Sequence, residues 1–178
     1  MQLRAMRLRT LMFSLAMTLA APAFANTEAF ALHGEGSLRW LGLKIYDARL
    51  FASGRLAPER LMDNPFALEL TYARDFAGSS IAERSIEEIR KLGAGTPPQH
   101  EAWKSAMQRI FPNVRTGDRL RGIHQPGRGA TFMLNGQPIG SIDDADFSSA
   151  FFAIWLDPRT SEPSLRRSLL RLADSRSR

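Results

Sequence analysis

The sequence predicts an α+β fold in which helices cover one face of an antiparallel sheet. Three observations lead there. Apolar residues alternate with period two from Phe30 to Tyr72, two segments then switch to helical spacing, and turn signals join later strands as hairpins before two more helices follow.

Taken in order, the chain of 178 residues opens with the three parts of a secretory signal. Arg4, Arg7 and Arg9 supply positive charge, no acid precedes Glu28, and Leu11 to Ala21 is apolar apart from Ser14 and Thr18. Ala23-Phe24-Ala25 places small residues where a signal peptidase reads, so cleavage is expected after Ala25. The apolar run falls short of the roughly 20 residues that span a bilayer. No integral membrane span is therefore expected after cleavage. With no cysteine near the cut and Leu8 between Arg7 and Arg9, neither a lipid anchor nor a twin-arginine signal is met. Residues 1–25 are thus read as a signal peptide, and 26–178 as one domain with a basic C-terminal tail, periplasmic or secreted.

Strand patterning begins at Phe30, where Phe30 and Leu32 alternate with Ala31 and His33 until Gly34-Glu35-Gly36 is expected to interrupt the run. A second strand is read through Leu41 to Phe51. In the third, Phe66, Leu68, Leu70 and Tyr72 share one face while Ala67, Glu69 and Thr71 take the other, as in a sheet covered on one side. Ser80 is expected to open a helix, with Glu83 completing a capping box and Gly93 stopping it. Ile81, Ser85, Ile86, Ile89 and Leu92 form its stripe. A helix from about Pro98 carries Trp103, Met107, Ile110 and Phe111 and ends before Pro112. Hairpins follow at Gln125 to Gly129 and at Asn135-Gly136. Asp143 or Asp144 then caps a helix to Leu156, and a last helix runs from Ser164 to about Leu172.

Composition excludes several chemistries. Zero cysteines rule out disulfides, thiol catalysis and iron–sulfur centres, so packing alone holds the domain. Cleavage removes three arginines and no acid, halving the net charge of +6, and no clustered basic face calls for nucleic acid. His33, His100 and His124 are scattered and lack metal-ligand spacing, and Asp143, Asp144 and Asp146 lack the ligand series of a calcium loop. No metal or cofactor is expected. There is no G-x-S-x-G elbow, and Glu87 with Glu88 are helix neighbours rather than a facing acid pair.

Three stretches together resemble the chalcone isomerase-like family. They are Gly34-Glu35-Gly36 leading into Gly42-Leu43-Lys44-Ile45-Tyr46 and on to Phe51, Arg74-Asp75 through Ser80-Ile81-Ala82-Glu83, and Asn135-Gly136 with Gly140-Ser141-Ile142 and Phe147 to Trp155. The resemblance implies a curved antiparallel sheet, an open-faced sandwich, with an apolar cleft between sheet and helices. The plant enzymes of that family cyclise chalcones without a cofactor, using an arginine, a threonine and a tyrosine. Related plastid members hold a fatty acid carboxylate with the arginine and tyrosine. By position these three fall on Leu38, Tyr46 and Ile81, with Arg39 beside the first. Adjacent strand residues face opposite ways, so Arg39 substitutes for Leu38 only through a one-residue register shift. Without those donors an oxyanion loses its main stabilisation, and no catalytic residue is assigned. The expectation is a non-catalytic cleft for an apolar or fatty-acid-like molecule, with Leu38, Arg39, Tyr46 and Ile81 as its site residues. The alternative is a periplasmic interaction or assembly module whose cleft its own side chains fill. An isomerase or lyase ranks third. The sequence leaves ligand identity, partners and oligomeric state open.

Overall fold

A computed structural model describes residues 30–54 and 56–172. The expected signal segment, its cleavage point and the end of the basic tail lie outside the described residues. The strands are β1 (Ala31–Trp40), β2 (Leu43–Ala52), β3 (Phe66–Tyr72), β4 (Arg119–Gln125), β5 (Gly129–Leu134) and β6 (Gln137–Ile142). They pair in chain order as one antiparallel six-stranded sheet. The helices are α1 (Gly78–Lys91), α2 (Pro97–Ile110), α3 (Ala145–Leu156) and α4 (Pro163–Leu170), with a 3-10 turn at Pro58–Asp63. None of the described helices is long and apolar enough to cross a membrane.

One sheet face is apolar and lies under the helices. Leu50, Phe66, Leu68 and Phe132 are buried there, with α3 across β4 and β5 and α4 across β1 and β2. The opposite face carries a charge ladder. Glu35 faces Arg49, Arg49 faces Glu69, and Glu69 faces Arg121 on successive strands. Alternating signs directly opposite one another are the favourable cross-strand arrangement. The Arg121 guanidinium reaches Glu69 at 3.1 Å and lies 4.7 Å from the Phe51 ring centroid, on a face that none of the described helices covers.

Two local expectations are corrected. Gly34-Glu35-Gly36 does not interrupt β1, which runs unbroken from Ala31 to Trp40 with a bulge at His33. The glycines answer to α4: a Cβ on Gly34 would overlap the Leu169 carbonyl oxygen, and one on Gly36 would lie 2.8 Å from Leu165 Cδ1. Likewise Ser80 does not open α1. That helix begins two residues earlier at Gly78, without a side-chain cap from its own N-terminal residue. Asn113, from the segment after α2, accepts the Gly78 N–H at 3.1 Å, so a residue remote in sequence supplies the capping acceptor. Asp144 does cap α3, accepting the Phe147 N–H at 2.9 Å. At the Asn135-Gly136 hairpin both residues have positive φ, 52° and 85°, as its tight turn requires.

His124 is buried and bridges elements: one ring nitrogen lies 2.7 Å from Ser148 Oγ and the other 2.9 Å from the Met62 carbonyl. A carbonyl only accepts, so Nε2 carries the proton and Nδ1 accepts from Ser148.

Candidate functional site

A cleft of about 450 Å³ opens between the β1–β3 part of the sheet, α1 and the C-terminal end of α3. Its floor is built by strand register. Leu38 pairs with Tyr46 and Tyr46 with Tyr72, so the three side chains form a row across β1, β2 and β3 on the helix-facing side. Leu70 and Leu120, also paired, extend that floor. From above come Ile81 on α1 and Phe151, Ile154 and Trp155 on α3. Trp40, 66 % exposed at the tip of the β1–β2 hairpin, also lines the cleft.

The polar groups in this apolar surface are few and unevenly partnered. Trp155 Nε1 donates to the Tyr46 hydroxyl at 2.9 Å, which leaves the Tyr46 proton free to be donated. Tyr72 lines the same cleft at only 5 % exposure, and its hydroxyl forms no hydrogen bond with any described residue. The two rings meet edge to face at 6.1 Å. Burial pushes both phenols far above their ordinary pKa, so each stays a neutral O–H.

A charged group sits on α1 and the connection to α4. Arg84 bonds Glu88 at 2.7 Å and Glu87 at 3.3 Å, while Glu88 also receives Lys91 at 2.8 Å and Ser161 at 2.6 Å. Burial works against the Glu88 charge, but Lys91, Ser161 and Arg84 together outweigh it and hold its carboxyl below the ordinary range. Glu162 differs. It lines the cleft without a side-chain hydrogen bond to any described residue, and burial followed by the Glu88 charge raises its carboxyl.

Of the four residues singled out from sequence, Leu38, Tyr46 and Ile81 come together in the cleft and Arg39 does not. β1 and β2 do shift register beside it, since Leu38 faces Tyr46 but Arg39 faces Lys44. The extra residue of that bulge is Ile45, on β2. Leu38 therefore keeps its place on the cleft floor. Arg39 is exposed and reaches only the Gly42 carbonyl, at 3.4 Å. Sequence reasoning missed Tyr72, Arg84, Glu88, Trp155 and Glu162. Tyr72 had a signal, as the polar-tipped end of an otherwise apolar strand face. Among the described residues no three His, Asp or Glu side chains converge as a metal site.

A sheet open on one face, a helical layer on the other and a cleft between them define an open-faced α+β sandwich. The chain belongs to the chalcone isomerase-like family, whose sequence pattern matches residues 16–171. It is also similar to an uncharacterised protein of Haemophilus influenzae, 29% identical over 167 residues that cover 93% of this chain and 78% of the relative. Among solved structures it is similar to a fatty-acid binding protein of Arabidopsis thaliana, with a TM-score of 0.63 at 14% identity. The match covers 80% of this chain and 87% of that one. At that identity the likeness establishes the shared fold.

Proposed function

We propose that the domain binds an apolar or amphiphilic small molecule in this cleft and does not transform it. The observation that carries the reading is the unfilled cleft of about 450 Å³, within the range of small-molecule sites and lined mainly by aliphatic and aromatic side chains. The likeness to a protein that binds fatty acids supports the same reading. The non-catalytic reading rests on the lack of an uncommitted cationic donor among the described lining residues. Leu38 and Ile81 cannot stabilise an oxyanion, and the guanidinium of Arg84 is committed to Glu87 and Glu88. Titrating delipidated protein with a fluorescent long-chain probe tests the proposal. Saturable one-to-one binding, displaced by unlabelled chains, is expected. A flat titration would sink it and favour the assembly module. Turnover of a chalcone well above the uncatalysed rate would overturn the non-catalytic part.

We further propose that the domain works outside the cytoplasm after losing residues 1–25. The support is the Arg4-to-Arg9 start, the short apolar run and Ala23-Phe24-Ala25. Amino-terminal sequencing of protein isolated from its host should read from Asn26, whereas an intact Met1 would refute export by cleavage.

A further inference from the structure

Resting on that binding reading, we propose that the cleft selects a long-chain amphiphile with an uncharged head, a hydroxyl or an amide, and disfavours a carboxylate. The polar inventory of the cleft makes the case. The residues that line it include one cation, Arg84, and two anions, Glu88 and Glu162. Arg84 and Lys91 face three carboxylates, Glu87, Glu88 and Glu162; Glu162 feels the Arg84 charge, but burial and Glu88 outweigh it, so the group keeps one surplus negative charge. A ligand carboxylate would meet like charge at the polar part of the site. The Glu88 charge already exerts that penalty on Glu162, whose carboxyl it helps to raise.

A head is nevertheless wanted. Tyr72 lines the cleft, and its hydroxyl, accessible there rather than sealed in the core, has no hydrogen bond to any described residue, so it can give its proton to a guest. Tyr46 accepts from Trp155 and keeps its own proton to give. Two phenolic donors and a carboxylate acceptor suit a head that both accepts and donates. A hydroxyl or amide does both, a carboxylate only accepts, and an ammonium only donates. The cleft floor, the row Leu38, Tyr46 and Tyr72, presents no cation that would compensate a carboxylate.

The test compares dodecan-1-ol, dodecanoate and dodecylamine as competitors of the fluorescent probe on delipidated protein at neutral pH. Dodecanol should bind about tenfold more tightly than dodecanoate, the scale of one like-charge contact in a partly solvated site. Glu162→Gln should narrow that gap, chiefly by tightening dodecanoate. Tyr72→Phe should weaken dodecanol severalfold. Dodecanoate equal to or tighter than dodecanol, or dodecylamine tightest of the three, would overturn the inference while leaving the binding reading intact. If neither the probe nor any of the three chains binds, the binding reading itself fails and this inference falls with it. Circular dichroism of each variant distinguishes a lost contact from a lost fold.

Discussion

The two ends of the sheet are covered by the same helical layer but treated differently. Over β4 and β5 the interface is filled with rings. Phe132 lies edge-on to Phe111 at 4.9 Å and to Phe151 at 5.3 Å, and Phe152 is edge-on to Phe66 at 5.1 Å. Gly122 makes the room: a Cβ there would stand 3.0 Å from Phe152. Over β1 to β3 the row Leu38, Tyr46, Tyr72 faces open volume instead. The filled end is what packing for stability looks like. The open end forgoes those contacts and turns a hydroxyl without a described partner into the cleft, which is the arrangement of a site.

If that contrast is right, stability and binding should respond to different residues. The largest effect is expected at the filled end, where Phe152→Ala should cost about 3–5 kcal/mol in denaturant unfolding and leave probe affinity little changed. A cost below about 1 kcal/mol would show that this end is loose too. Gly34→Ala, which drives a methyl into the Leu169 carbonyl, should cost about 1–3 kcal/mol through the α4 contact with β1. Unchanged stability there would mean that α4 is only weakly docked.

His124 gives a pH signature to the filled end. Burial lowers its pKa from the ordinary value of 6.5, outweighing the Met62 contact, so the unfolded chain binds a proton before the folded one does. Its share of stability is present above pH 6.5 and is lost as pH falls from there through the folded pKa. Denaturation at pH 7.5 and 5.5 should therefore show a drop that shrinks in His124→Asn. An equal drop in both proteins would assign the acid sensitivity to other groups. The smallest stability effect belongs to the open end. Tyr72→Phe removes a hydroxyl with no described partner, so unfolding should shift by less than about 0.5 kcal/mol while ligand affinity falls. A large loss of stability with affinity intact would reverse the assignment of the two ends.

Period-two runs in β3, helical stripes in α1 and α2, and the Asn135-Gly136 turn were legible from sequence because each depends on residues close together in the chain. The antiparallel sheet, the helical layer and the cleft-lining positions Leu38, Tyr46 and Ile81 followed from that patterning and from the family resemblance. Tertiary structure decided the rest. Gly34 and Gly36 resemble a strand break until α4, more than a hundred residues away in sequence, is laid across them. Gly78 starts α1 with an acceptor from Asn113, which no capping pattern around Ser80 could reveal. Tyr46 meets Trp155 across 109 positions, and Glu162 reaches the cleft only because the α3–α4 connection folds back over it. Local spacing determines which faces are apolar. How completely two such faces fill the space between them depends on side chains brought together from distant segments, so the open cleft and the Glu162 carboxylate that lines it belong to the tertiary structure alone.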